Sequence, residues 1–275
     1  MERNRVFNEA QSPIRKEEIS ARLHTALLGK PLLVLDQIDS TNRYAFRLAQ
    51  EGARDGTAIL ADTQTAGQGR MGRRFQSASG RGIYLSLLLR PGWPLSQAFY
   101  FTAMTAVAVC DGLEASCGLR PQIKWPNDLL VDGKKLCGIL TELKTAPDGT
   151  LAYLVAGIGL NVGQKSAGEF EDDIQSKAIS LSMLLGRPIQ REPVAAALLN
   201  AMDAMYARYF TGRREYLARY RKDSCTIGRE ILLARPGSGA QTAAKALDVD
   251  DRFALVVRYP DGRQEAISSG EISIR

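Results

Sequence analysis

The chain has 275 residues, 45% of them hydrophobic and 24% charged, with 36 Lys and Arg against 30 Asp and Glu. That is an ordinary globular mix, long enough for about two domains and for a core that needs no disulfide or metal staple. Four cysteines without a C-x-x-C pair and a single histidine, His24, exclude a zinc pattern, and a net charge of +6 predicts affinity for anions.

Residues 1–13 are polar and carry no apolar run, so no signal peptide is expected. Residues 15–28 have helical spacing at Ile19, Leu23 and Leu27, with Gly29 as a stop, and His24 falls on that helix. PLLVLDQI (31–38) reads as a strand. Asp39-Ser40-Thr41-Asn42 then offers several N-cap candidates for a helix that ends at Gly52. TAILADTQ (57–64) and GIYLSLLLR (82–90) read as strands around a glycine- and arginine-rich loop, about 65–81. Residues 96–117 read as a long, mostly buried helix. The longest apolar stretch, Phe99 to Cys110, is too short to span a bilayer. With no leader and no span, a cytoplasmic location with thiols in a reducing compartment is expected.

QIKW (122–125) is a short strand. Residues 129–143 read as a hairpin around Asp132-Gly133, and 151–162 as a strand. Residues 163–178 read as a mobile loop, and 179–186 and 191–222 as helices. After Cys225 the pattern changes to short strands, with turns at Gly237-Ser238-Gly239 and Asp261-Gly262, which predicts a small β barrel. The expected fold class is α+β, a mixed or antiparallel sheet flanked by helices, with a second domain. The expected organisation is an N-terminal extension over 1–30, a catalytic domain over 31–224 and a barrel over 225–275.

Four stretches carry chemistry. Between Thr63 and Cys110 there is no Asp or Glu, while Arg70, Arg73, Arg74, Arg81 and Arg90 all fall there. Within that tract, Gly67, Gly69 and Gly72 form a G-x-G-x-x-G. A strand follows instead of a helix, and no acid stands about 20 residues on, so the dinucleotide-fold reading fails. Exposed N–H groups and arginines instead suit phosphate or carboxylate. A plain surface loop competes on equal terms.

In the second stretch, Lys124-Trp125-Pro126-Asn127-Asp128, a lysine can neutralise phosphate, though Pro-Asn-Asp is also ordinary turn chemistry. In the third, alternation puts Lys135 and Cys137 on one face of a strand, with Leu136 and Gly138 on the other. Lys135 then either meets an anion in a pocket or belongs to a solvated hairpin tip. In the fourth, Gly157 and Gly159 lie inside a strand, which marks close approach of a ligand or another backbone, or tight packing. One histidine and no G-x-S-x-G argue against a Ser-His-Asp hydrolase.

These segments, in this order, resemble the biotin protein ligases. The matching pieces are Asp39-Ser40-Thr41-Asn42, then Gln64 to Arg74, KWPNDLLVDGKKLCGIL (124–140), GIGLNV (157–162) and a C-terminal GEISIR. The resemblance implies a class II synthetase-like catalytic domain with a small SH3-like C-terminal barrel. It also implies a two-step ligase. Biotin reacts with ATP, accompanied by Mg²⁺, to give biotinyl-5′-AMP, and a lysine of a biotin carboxyl carrier domain then takes the biotinyl group.

By that resemblance Ser40, Thr41, Asn42, Gln64, Gly67, Gln68, Gly69, Arg70 and Lys135 contact biotin and the adenylate. Arg70 and Lys135 stabilise charge in the first step. Arg73, Lys124, Trp125, Asn127, Asp128 and Asn161 match the nucleotide end, and loop 163–178 falls where the family covers adenine. The family's loop commonly reads G-R-G-R-R-G-R. Here Gln68 and Met71 replace two arginines, and Phe75 stands where Trp is common. Only about 30 residues precede PLLVLDQI, too few for the winged helix-turn-helix that some members carry, so DNA binding is not expected. An exposed strand of the central sheet is compatible with a homodimer.

Two other readings compete. A lipoate or octanoate ligase on a similar fold would carry a His-Asp pair after the loop, and no such His is present. A non-catalytic nucleic-acid binder would need stacking aromatics among the basic residues, and only Phe75 and Tyr84 qualify.

Overall fold

The structure is a computed structural model that describes residues 13–235 and 241–274. The Gly237-Ser238-Gly239 turn falls outside them. The chain opens with α1 (Lys16–Ser20), β1 (Leu32–Ile38), α2 (Thr41–Gln50), β2 (Thr57–Gln64) and β3 (Gly82–Leu89). Then come α3 (Phe101–Cys117), β4 (Gln122–Lys124), β5 (Asp128–Val131), β6 (Lys134–Thr145) and β7 (Leu151–Asn161). The order β1-β2-β3-β7-β6-β5-β4 makes one seven-stranded sheet. Only β1 and β2 run parallel, so the sheet is mixed, as expected. Among the described residues, no strand pairs with the outer edge of β1.

Three further helices follow: α4 (Leu181–Leu185), α5 (Arg191–Ala207) and α6 (Arg213–Asp223). α3 and α5 pack on each other over one face of the sheet, and α2 lies on the other against β2, β3 and β7. α3 is apolar nearly all round because it is buried nearly all round, from Phe101 to Leu113. α2 is amphipathic. It buries Ala45 and Ala49 on the sheet and leaves Arg43 and Arg47 in solvent. Small residues there let the helix lie close to the strands, which brings its N-terminus to the sheet surface. Ser40 caps it by accepting from the Arg43 N–H.

Two helices differ from the sequence reading. The N-terminal helix stops at Ser20, well before Gly29. Beyond it the backbone N–H groups of Ala26, Leu27 and Leu28 donate to the Asp203 carboxylate at 2.8, 3.0 and 2.8 Å, and that of His24 donates to Asn200 Oδ1 at 2.8 Å. Side chains of α5 thus satisfy donors that a longer helix would have used internally. The helix expected over 191–222 is two helices, α5 and α6. Between them Tyr209 is buried and stacks on Trp93 with ring centroids 3.9 Å apart.

The hairpin turn forms as read, with Asp132 and Gly133 both left-handed at φ 50° and 74°. Its register holds a surprise. Leu129 pairs with Cys137 but Leu130 pairs with Lys135, so Leu136 is an extra residue, a bulge.

Five strands close the chain: β8 (Glu230–Ala234), β9 (Gln241–Val249), β10 (Leu255–Arg258), β11 (Gln264–Ile267) and β12 (Glu271–Ile274). They form a separate antiparallel sheet ordered β11-β10-β9-β8-β12, the small SH3-like unit expected from the sequence. It joins the main sheet at Trp125. The indole is buried, its backbone N–H donates to Thr226 Oγ1 at 3.0 Å, and its Nε1 donates to Phe253 O at 3.2 Å.

Candidate active site

A cleft opens on the α2 face, where the helix N-terminus, the loop after β2 and strands β3, β6 and β7 meet. Ser40, Thr41, Asn42, Gln64, Gln68, Gly69, Arg70, Asn127 and Lys135 line it, together with Phe75, Tyr84, Gly138 and Gly159. Its inner end is a polar network of hydroxyls and amides that reaches the Glu142 carboxylate. Thr41 donates through its backbone N–H and its hydroxyl to Gln64 Oε1, at 2.8 and 3.0 Å. Gln64 Nε2 donates to Ser77 Oγ at 2.8 Å. Ser86 Oγ lies 2.8 Å from Thr41 Oγ1 and 2.6 Å from Asn42 Oδ1, and Asn42 Nδ2 donates to Glu142 Oε2 at 2.7 Å. Ser86, Thr41 and Asn42 are all buried, so these bonds fix each side chain in one rotamer and orientation.

The glycines of β7 make room for this arrangement. A Cβ on Gly157 would stand 2.3 Å from Asn42 Oδ1, and one on Gly159 would stand 2.7 Å from the Phe75 ring. Of the two readings taken from the sequence, tight packing holds: protein side chains, Asn42 and Phe75, fill the space over both glycines. Phe75 in turn meets Tyr84 edge-on at 6.3 Å. Burial raises the Tyr84 phenol above its ordinary range, so it stays a neutral donor, to Ala78 O at 2.9 Å.

Cations stand at the mouth. The bulge at Leu136 decides the place of Lys135. Simple alternation would pair it with Cys137. The extra residue puts it on the face of Gly138 instead, where a Cβ on that glycine would meet Lys135 Nζ at 3.0 Å. Cys137 and Leu136 turn into the core, and burial pushes the Cys137 thiol up to about 12. Lys135 Nζ pairs with Asp128 Oδ1 at 2.7 Å.

Arg70 donates to Asn127 Oδ1 and to Gly270 O, both at 3.1 Å. Among the described residues it has no carboxylate within ion-pair distance. Partial burial pulls its guanidinium below the ordinary arginine value, with Glu271 and Asp128 opposing from a distance. A charge held by neutral oxygens in a half-buried cleft is poised to receive an anion.

The remaining expected residues do other work. Gly67 lies beneath the loop, its carbonyl accepting from the Phe75 N–H at 3.0 Å. Arg73 points outward and pairs with Glu271 of the C-terminal sheet. Trp125 fills the joint with that sheet and does not line the cleft. Lys124 lies on an edge strand opposite Asp128. Asn161 donates to Lys135 O and Ile179 O, at 3.2 and 3.1 Å, and so ties β7 to the hairpin and to the segment before α4. Residues 163–178, read as a mobile loop, are fastened at several points. The Lys135 N–H donates to Lys177 O at 2.7 Å, and Glu169 pairs with Arg81 at 2.9 Å.

Sequence reasoning missed Ser77, Ser86 and Glu142. A lone serine in the apolar run YLSLLL was the one available signal for Ser86.

Two known families match this chain. The Biotin/lipoate A/B protein ligase family matches residues 34–161, and the Biotin protein ligase C terminal domain matches residues 226–275. The bifunctional ligase/repressor BirA of Bacillus spizizenii is 38% identical over 257 residues, covering 93% of this chain and 78% of that protein. The chain belongs to the biotin protein ligase family. The biotin--[acetyl-CoA-carboxylase] ligase of Mycobacterium tuberculosis is 32% identical over 248 residues, 88% of each chain. A solved biotin protein ligase from Aquifex aeolicus, in complex with biotin and ATP, matches with a TM-score of 0.75 at 28% identity, over 90% of this chain and 99% of that one. No helix among the described residues is long and apolar enough to cross a membrane.

Proposed function

We propose that this biotin protein ligase uses ATP to form biotinyl-5′-AMP and then biotinylates a lysine of a biotin carboxyl carrier domain. The observation that carries the reading is the division of one cleft into an inner end of hydrogen-bonded hydroxyls and amides and a cationic mouth. The inner end, built on Ser40, Thr41, Asn42, Gln64 and Ser86, suits an uncharged polar head group. Phe75, Tyr84 and Ile158 offer the apolar walls beside it. Lys135 and Arg70 stand where a carboxylate and a phosphate must be brought together.

The first step joins two anions, so charge neutralisation is the main demand on the protein. A biotin carboxylate oxygen attacks the α-phosphorus of ATP, the bond to the bridging oxygen breaks, and pyrophosphate leaves. Lys135 offsets charge at the attacking carboxylate, and Arg70 offsets charge on the phosphoryl oxygens. ATP enters as its Mg²⁺ complex. Asn127 and Asp128 carry hard oxygen donors of the kind that ion takes, but Asn127 Oδ1 is engaged by Arg70 and Asp128 Oδ1 by Lys135. No cluster of three or more His, Cys, Asp or Glu among the described residues makes a resident site. In the second step a lysine amine attacks the acyl carbon and AMP leaves, with Arg70 retaining the mixed anhydride until the carrier arrives.

We assign these steps to residues 31–224. Residues 225–275 close the site from one side through Gly270 and Glu271. Lys124 and Asn161 act from behind the cleft, and loop 163–178 lies at the nucleotide end. Incubation with labelled biotin, ATP and a carrier domain tests the reading. Label should enter the carrier only when both biotin and ATP are present and its acceptor lysine is intact. No incorporation, or equal incorporation into a carrier lacking that lysine, would contradict it.

A further inference from the structure

One charged side chain beside the cleft takes no part in either step of the proposed reaction. Arg43 lies on the exposed side of the first turn of α2, directly after the cleft residues Ser40, Thr41 and Asn42. Its guanidinium reaches across to the loop. With the Gln68 amide oxygen turned toward it, Oε1 accepts from Arg43 Nη2 at 2.9 Å and from Nε at 3.2 Å. The opposite amide orientation would set N–H against N–H, so the contact fixes the amide. Gln68 itself lines the cleft beside Gly69 and Arg70.

Among the described residues Arg43 has no carboxylate within ion-pair distance. Its neighbour Arg47, one turn on, is different: it is paired with Asp39 at 3.0 Å. The other arginines of the loop region also have carboxylates. Arg73 has Glu271, Arg74 has Glu171 at 3.9 Å, and Arg81 has Glu169. Lys135 has Asp128. Two cations around the mouth are therefore held only by neutral oxygens, Arg70 and Arg43. A guanidinium gripped through Nε and one Nη keeps its remaining N–H groups free to donate, and its plane is fixed by the amide.

We infer that Arg43, oriented by Gln68, is a second phosphate-binding cation of this site, and that it acts on the nucleotide's phosphoryl oxygens. The inference rests on the ligase reading and adds a residue to it. It also accounts for Gln68. The positive charge rises from α2 to meet the loop, with the glutamine as its holder. Arg70 and Arg43 then grip the phosphate from two elements, one of loop and one of helix.

The test is a transposition. Arg43→Gln, Gln68→Arg and the double variant are compared with the parent in biotin-dependent ATP–pyrophosphate exchange, in adenylate release by rapid filtration, and in calorimetric titration with MgATP alone. Losing a charge-assisted contact to phosphate should raise the KM for ATP and speed adenylate release, each by about tenfold, in Arg43→Gln. The double variant should recover most of that loss, since it returns the guanidinium from the other side. Arg47→Gln should change neither quantity. The inference is overturned if Arg43→Gln leaves ATP binding and adenylate release within about twofold of the parent, or moves only the KM for biotin. It is also overturned if the double variant is no better than Arg43→Gln. Should the parent show no biotin-dependent exchange, the ligase reading falls, and the MgATP titration of parent against Arg43→Gln still decides the role of Arg43.

Discussion

Residues 67–75 and residues 124–128 approach the same cleft from different sides. The first stretch is exposed from Met71 to Arg74, while the second is buried at Trp125 and Asn127. The loop holds its shape through short-range backbone bonds, Gly69 N–H to Arg73 O at 2.7 Å and Phe75 N–H to Gly67 O at 3.0 Å. The other segment is held by distant parts of the chain, with Thr226 and Phe253 on Trp125 and Ile139 O accepting from Asn127 Nδ2 at 2.7 Å. Both segments looked like binding motifs in sequence. The comparison teaches that one is an exposed loop bearing cations and the other is mainly a joint, with Asn127 as the point where they touch through Arg70.

Substitutions should separate the two roles. The largest expected effect is at Trp125. Trp125→Ala removes a buried indole at the contact between the two sheets and should lower unfolding stability by about 3–5 kcal/mol, read by urea denaturation. A loss below 1 kcal/mol with weakened ATP binding would return Trp125 to the nucleotide site.

Next come the charges. Lys135→Ala should slow adenylate formation by about a hundredfold or more, the scale of removing one preorganised donor, measured in a single turnover. Arg70→Gly should release biotinyl-adenylate into solution faster by a similar factor, with stability changed by only about 1 kcal/mol. Unchanged retention would remove Arg70 from its assigned role.

Gly159→Ala is smaller. Its Cβ would push into the Phe75 ring, so the ring must move, at about 1–3 kcal/mol, and the KM for biotin should rise. The smallest effect is at Met71, exposed and left-handed at φ 55°. Met71→Gly relieves backbone strain while adding unfolded-state freedom, so stability should shift by no more than about 1 kcal/mol. A large loss of activity there would mean that the exposed loop tip takes part in binding or in the reaction.

The fold was legible where local pattern and tertiary need agreed. The strands from Leu32 to Leu89, a helix cap somewhere in Asp39-Ser40-Thr41-Asn42 and the Asp132-Gly133 turn all follow from alternation and turn chemistry. What was illegible came from distant partners. Asp203 and Asn200 cut short the N-terminal helix, and no local rule foretells side chains some 176 residues away in sequence. The Leu136 bulge reverses which neighbour Lys135 shares a face with, because one extra residue flips a period of two.

The site was legible in its motifs and less so in its roles. Arg70, Lys135 and the Ser40-Thr41-Asn42 run meet in one cleft. Trp125, Asn161 and Arg73 face elsewhere because packing and ion pairs claim them. Arg43 carried no motif at all, and only the contact with Gln68 brings it to notice.

The most direct test of the central claim is ATP–pyrophosphate exchange by the purified protein with biotin, lipoate or octanoate as the acid. The account predicts exchange that requires biotin and is absent with the other two. Exchange supported by lipoate or octanoate, or none with any acid, would contradict it.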